Sequence, residues 1–297
     1  MTNPNFLPSP EQESIFVHLT SSSAGNVFIS ACAGSGKSTT LVQALHRITP
    51  PRPPGPADPF AAFSAPAVRF LVFNKANATD LQPRVPSSVS CSTFHSLGNT
   101  VLRTSGALPR TSKVDGRRCA PWVYNALGST SPDALDTFRL IGLAKSVPQA
   151  PADVDLEALA SSQGLSFDDP SLVFRTVLAC LERSISDLSS IDFDDMLWLP
   201  VQLRLDFPAS DWVFIDEAQD TNAIQLVILN ALRSPATRYV FVGDPHQAIY
   251  GFRGAGTNSV DTIKSVFETI NLPLSFTYRC PKAVVREAQK YCKILTA

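Results

Sequence analysis

Five short apolar runs punctuate the chain: Val27–Ser30, Phe70–Phe73, Val89–Cys91, Trp212–Ile215 and Tyr239–Val242. They lack a polar–apolar alternation and stop at polar or glycine-rich turns. Strands buried on both faces have that pattern, which predicts a parallel sheet covered on both sides. Elsewhere the apolar spacing takes the helical period, and Ser38–Ile48, Ala134–Val147 and Ser171–Leu188 read as amphipathic helices. Strands alternating with helices predict an α/β fold. From about residue 103 to 189 the strand signal fades, so this block is expected to be a helical insertion into the α/β domain. Pro50–Pro66 holds seven prolines in 17 residues, which excludes helix and central strand and predicts an extended loop.

A chain of 297 residues has room for about two domains. With 44% hydrophobic and 17% charged residues it is neither disordered nor supercharged. No apolar run approaches the roughly 18 residues of a membrane span, and the first residues show no secretory pattern, so no membrane association is expected. Six cysteines are scattered without a CxxC pair. That argues against a zinc ribbon or disulfide framework and for a reducing compartment, the cytoplasm or, in a eukaryote, the nucleus. The net charge of −1 conceals a +6 stretch over residues 1–150, −12 over 151–220 and +5 over 221–297. Two basic parts flanking an acidic one leave nucleic acid open as a partner.

The strongest chemical signal is Ala31-Cys-Ala-Gly-Ser-Gly-Lys-Ser38, between a predicted strand and a predicted helix. That is the setting of a phosphate-binding P-loop. Gly34 and Gly36 permit a tight turn with N–H groups facing phosphates, and the helix N-terminus adds a positive dipole end. Lys37 would reach the β- and γ-phosphates of ATP and the Ser38 hydroxyl would ligate Mg²⁺. The second signal is Trp212-Val-Phe-Ile-Asp-Glu217, an apolar strand ending in two carboxylates. Ligands of α/β sheets bind at that strand end. Asp216 suits Mg²⁺ held through water, and Glu217 suits orienting and deprotonating an attacking water.

With these motifs and their order, the chain resembles the UvrD/Rep/PcrA-type superfamily 1 DNA helicases. Pro10-Glu-Gln12 resembles the Q motif, Ala31–Thr39 the Walker A motif, and Phe73-Asn-Lys-Ala-Asn-Ala78 motif Ia. Ser92-Thr-Phe-His-Ser-Leu-Gly98 resembles motif Ib, and Asp192-Phe-Asp-Asp-Met196 the return from the inserted domain. Asp216-Glu-Ala-Gln-Asp-Thr-Asn222 resembles motif II, Val242–Gly254 motif III and Thr277-Tyr-Arg-Cys-Pro281 motif IV.

The resemblance implies a first RecA-like domain formed by residues 1–102 and 190–270, a helical insertion over 103–189, and a stub of a second RecA-like domain over 271–297. It implies an ATP site lined by Gln12, Ala33, Gly34, Ser35, Gly36, Lys37, Ser38, Thr39 and Tyr278, with Gln12 on the adenine edge and the Tyr278 ring on the base. Gln247 is expected near the γ-phosphate and Arg279 to reach it as an arginine finger. Phe73, Tyr250 and Phe252 would stack bases of single-stranded DNA, and Thr93, His95 and Arg253 would contact its backbone. Motifs V and VI of the second domain do not occur in this sequence, which then reads as a fragment, a truncated or split gene product, or a subunit whose protein partner supplies that domain. The implied activity is 3′-to-5′ translocation and unwinding in repair, recombination or replication. The competing reading is a non-catalytic ATP- and DNA-binding module or a split-helicase subunit. Arg103, Arg110, Lys113, Arg117 and Arg118 read as a solvated basic face or, in the alternative, as a place to meet the backbone of duplex or single-stranded DNA.

Overall fold

The computed structural model describes residues 6–21, 25–49, 66–247 and 259–290. Along the chain the strands are β1 (Val27–Ala31), β2 (Val68–Val72), β3 (Val89–Thr93), β4 (Lys113–Val114), β5 (Ser190–Ile191), β6 (Trp212–Ile215), β7 (Arg238–Gly243) and β8 (Ile270–Leu274). Six of them form one parallel sheet in the order β3-β2-β6-β7-β1-β8. The five predicted strands are all present, shifted by at most two residues at an end. The proline-rich stretch 50–65 lies outside the described residues.

The runs look uniformly apolar because both faces of the sheet are covered, and residue parity decides which core each side chain joins. Phe28, Leu71, Val213, Ile215, Tyr239 and Phe241 face one core. Val27, Ile29, Phe70, Phe214, Val240 and Val242 face the other, together with α1 (Pro10–Thr20) and α2 (Lys37–Ile48). The first core continues without a break into the helical block, through Val123, Val173, Val177 and Leu181. The insertion therefore shares its core with the sheet. Its helices are Ala120–Leu127, Ala134–Lys145, Leu156–Ser162 and Pro170–Ser186, and the two-residue ladder β4–β5 closes its neck.

β8 is absent from the sequence reading, and it moves the expected boundary at residue 270. Its sequence, Ile-Asn-Leu-Pro-Leu, has a proline and an asparagine in five residues and is half exposed, which masks the strand signal. Proline is tolerated there because β8 is an edge strand. It pairs with β1 along its whole length, from Val27↔Ile270 to Ala31↔Leu274. Residues 271–274 thus belong to the first sheet.

At the base of the insertion a buried ionic cluster joins it to the returning chain. Lys145 Nζ, fully buried, lies 2.6 Å from Asp192 Oδ2 and 2.7 Å from Asp195 Oδ1. Arg118, 4% exposed, donates to Asp195 Oδ2 and to the Asp187 carbonyl. Burial alone would lower the Lys145 pKa; the Asp195 and Asp192 carboxylates outweigh it and raise it. Arg118 is accordingly not part of a solvated basic face. The helix Phe94–Thr104 crosses the helix Asp195–Gln202 at Gly98, where a Cβ would collide with the Met196 carbonyl. Gly98→Ala should therefore lower the unfolding midpoint in urea; an unchanged midpoint would mean that these helices can separate at little cost.

Candidate nucleotide site

β1 ends at Ala31, and the chain turns through Cys32–Gly36 into α2. Gly34 and Gly36 both take positive φ, 72° and 81°. At Gly34 a side chain is also excluded by its neighbours, since a Cβ would lie 2.6 Å from Arg279 Cβ and 2.7 Å from Thr277 Oγ1. Gly36 is the N-cap of α2 and supplies no side-chain acceptor. The first amides of the helix are left for another acceptor, which is how helix N-termini hold anions. Ser35 is fully buried, and its Oγ has no partner among the described residues. A left-handed cradle, uncapped amides and an orphaned hydroxyl fit a polyphosphate. Ala33 and Ser38 are half-buried and Thr39 is exposed on the same turn.

β6 lies one strand from β7, which pairs with β1, so its end brings Asp216 and Glu217 opposite the P-loop. Lys37 Nζ donates to Glu217 Oε2 at 2.6 Å. Glu217 has φ 50°, a strained value for a residue with a side chain. Its N–H donates to Asp216 Oδ1 at 3.1 Å. Asp216 is 6% exposed, and burial, reinforced by Glu217 and opposed by Lys37, pushes its carboxyl up to about 6.

A raised carboxyl costs stability as pH rises. In the unfolded chain Asp216 ionises near pH 3.8 and in the folded chain near 6, so its penalty grows across that interval and is complete above it. Linkage at about 1.4 kcal/mol per pH unit makes the full penalty about 3 kcal/mol. Asp216→Asn is therefore expected to be the more stable protein at pH 8 and close to wild type at pH 4, by urea unfolding. A stability difference that does not change with pH would contradict this.

The other predicted residues converge on the same cradle. Gln12 is buried in a capping box: its Oε1 accepts from Ser9 N at 2.9 Å, and its N–H donates to Ser9 Oγ at 3.2 Å. Its Nε2 donates to Thr40 Oγ1 of α2 at 2.9 Å, beneath Gly36. Tyr278 donates its backbone N–H to the Gly34 carbonyl at 2.9 Å. Its ring, 60% exposed, packs edge-on against Phe276 at 4.9 Å between centroids. Arg279 is exposed, with its Cβ against Gly34.

The segment after β8 is anchored to β1 and α1. Cys32 N–H donates to the Leu274 carbonyl at 3.0 Å, and Ser275 donates to both Glu11 oxygens, at 2.7 and 2.6 Å. Thr277, buried, accepts at its Oγ1 from the N–H groups of Arg279 and Cys280. The following helix, Lys282–Ala288, buries Val285 against Cys32 and leaves Val284 exposed.

Gln247 is exposed at the end of β7, where its Nε2 donates to Asp244 Oδ2 at 2.8 Å. Phe73 and His95 line one cavity of about 620 Å³ between the strand ends and the insertion, together with Arg139, Gln163, Asp220 and Asn222. Thr93 stands apart from them as the N-cap of its helix, its Oγ1 accepting from Ser96 N at 3.1 Å. Tyr250, Phe252 and Arg253 lie outside the described residues. Sequence reasoning missed Gln219 and Asp244. Both lie inside recognised motifs, but only the pairing of β6 with β7 shows that they touch.

A parallel sheet with a P-loop after one strand, an Asp-Glu pair after another and a helical insertion between them defines a RecA-like P-loop domain. The UvrD/REP helicase N-terminal domain family matches residues 9–268, and the chain belongs to that family. It is 25% identical over 291 residues to the ATP-dependent DNA helicase PcrA of Staphylococcus aureus, and 24% identical over 285 residues to that of Staphylococcus epidermidis. Each match covers 91% of this chain and 38% of the relative, so the chain spans well under half the length of these proteins.

Proposed function

We propose that the chain binds Mg²⁺·ATP in the cradle formed by Ala33–Thr39 and hydrolyses it in response to single-stranded DNA, as the ATP-binding part of a 3′-to-5′ DNA translocase. The observation that carries this reading is the 2.6 Å contact between Lys37 and Glu217, which joins a candidate phosphate-binding cation of the P-loop to a candidate general base at the end of β6. Ser38 and Asp216 would hold the metal. Among the described residues no group of three or more His, Cys, Asp or Glu is poised for a metal. Mg²⁺, when bound, supplies charge neutralisation at the phosphates.

The rest is done by side chains of this chain. Phosphate oxygens compete with Glu217 for Lys37. Once Lys37 turns to them, Glu217 is free to accept a proton from water. Arg279, whose Cβ lies against Gly34, is the candidate finger. Gln12 and Tyr278 bracket the outer end of the cradle, where Tyr278 offers an exposed ring to a base. Tyr278→Ala should weaken ATP about tenfold, worth ~1.4 kcal/mol, with a smaller effect on inorganic triphosphate. Equal losses for both would remove the ring from the base site.

For DNA, Phe73 and His95 supply an aromatic face and a polar contact in the cavity beside the insertion. Tyr250, Phe252, Arg253 and Thr93 extend the proposed track through sequence resemblance. We further propose a second RecA-like domain or a partner carrying one, a role in DNA repair, recombination or replication, and a cytoplasmic or nuclear location. Among the described residues no helix is long and apolar enough to cross a membrane.

The test is phosphate release with Mg²⁺, with and without an oligonucleotide of mixed sequence. Stimulation by the single strand, lost when Mg²⁺ is chelated, is the expected result. Nucleotide binding without turnover under any of these conditions would favour a non-catalytic binding module instead.

A further inference from the structure

Gln219 occupies the contact between the two strand ends that carry the site. Its side chain is 3% exposed. At one end Nε2 donates to Glu217 Oε2 at 3.0 Å, and at the other Oε1 accepts from Asp244 N at 3.1 Å. Its backbone carbonyl accepts from Ser259 Oγ at 2.7 Å. The end of β7 is shaped around this amide, since a Cβ at Gly243 would stand 2.5 Å from Gln219 Oε1.

Both arms continue. Glu217 Oε2 is the atom that holds Lys37. The Asp244 carboxylate accepts from His246 N at 3.0 Å and from Gln247 Nε2 at 2.8 Å. Lys37, Glu217, Gln219, Asp244 and Gln247 thus form an unbroken chain of polar contacts from the P-loop to the turn after β7. A primary amide suits the middle position because it donates at one end and accepts at the other. A carboxylate there would repel Glu217, and an apolar side chain would break both arms.

We propose that Gln219 is a positioning residue that ties the Glu217 carboxylate to the Asp244–Gln247 turn and to Ser259. Loss of the Lys37 contact at Glu217 is then felt at that turn. The proposal rests on the nucleotide reading above. When phosphate oxygens take Lys37, Glu217 loses a charge-assisted hydrogen bond and Gln219 becomes its principal remaining donor. In a packed, fully hydrogen-bonded contact the displacement passes to the partners at the other end of the amide.

The test is amide hydrogen exchange on the full chain, with and without adenylyl-imidodiphosphate and Mg²⁺, for wild type, Gln219→Leu and Gln219→Glu. Fluorescent-nucleotide titration checks affinity in parallel. In wild type, nucleotide should change exchange over 244–247 and 259–267. In both variants that nucleotide-dependent change should vanish while affinity stays near wild type. A purely structural role would alter exchange equally with and without nucleotide, so the difference between the two is the reading that decides. If Gln219→Leu fails to fold, Gln219→Glu, which keeps the acceptor for Asp244 N, carries the test. A change that persists in a folded, nucleotide-binding variant overturns the proposal and leaves the nucleotide site intact, as does a wild type that binds nucleotide with no change at these residues. A wild type that does not bind nucleotide overturns the nucleotide reading first and this inference with it.

Discussion

Asp195→Ala is expected to lower the unfolding free energy by about 3–5 kcal/mol, the penalty for leaving buried opposite charge without its partner. Arg118 and Lys145 both point at this carboxylate, and their side chains are 1% and 0% exposed, so water cannot replace it. Lys145 keeps Asp192, whereas Arg118 keeps the Asp187 carbonyl and the face of the Trp122 ring but no carboxylate among the described residues. Asp195 also accepts from Asp192 N at 2.9 Å, so the start of the returning helix loosens as well. An exposed pair offers a contrast: Asp80–Arg84, with side chains 72% and 42% exposed, is screened, and its loss should cost under about 1 kcal/mol. Urea unfolding of both variants at pH 7 measures the difference. Equal losses would mean that water reaches the cluster. The ammonium has its own pH limit. Because its folded pKa lies above the unfolded value of 10.5, its contribution is complete below that pH and fades only above it.

Glu217→Gln should abolish turnover and at the same time tighten nucleotide binding. The glutamine cannot take a proton from water, and loss of a general base costs about 10²–10⁴ in rate. Its amide also holds Lys37 less firmly than a carboxylate does. Lys37 is engaged by Glu217 at 2.6 Å, so phosphate must displace Glu217 to gain it. Weakening that competitor leaves the cation freer to meet phosphate. The variant also removes the carboxylate that helps to raise Asp216, so Asp216 should ionise at lower pH. Rapid-quench hydrolysis and equilibrium titration measure the two effects separately. Slower turnover with weaker binding would mean that Glu217 helps to hold the nucleotide and does not compete for Lys37.

The candidate nucleotide site was legible in the sequence because its parts are local. The P-loop turn needs Gly34 and Gly36 within three residues, and the Asp-Glu pair sits directly at a strand end. The central strands were legible for the same reason, since burial on both faces leaves uninterrupted apolar runs. β8 was not, because an edge strand tolerates the proline and polar residues that hide it. The anchoring of Tyr278 and Arg279 followed β8 into obscurity, since β8 delivers them to Gly34. Arg118 reads as a surface cation because its partner Asp195 lies 77 residues away in the chain. Gln219 reads as one more motif letter until strand order puts β6 beside β7. Gly98 stands in the sequence as the last residue of a motif, and only the packing of two helices brings the Met196 carbonyl against it.

The account turns on whether the Lys37–Glu217 gap is a nucleotide site. Titration of a fluorescent ATP analogue in Mg²⁺, against wild type and Lys37→Ala, tests this most directly. A charge-assisted contact to phosphate is worth about 1.5–3 kcal/mol, so the variant should bind roughly 10- to 100-fold more weakly. The predicted result is saturable wild-type binding that weakens by that factor in Lys37→Ala and on removal of Mg²⁺. Equal affinity in the two proteins, or no binding by wild type, would contradict the account.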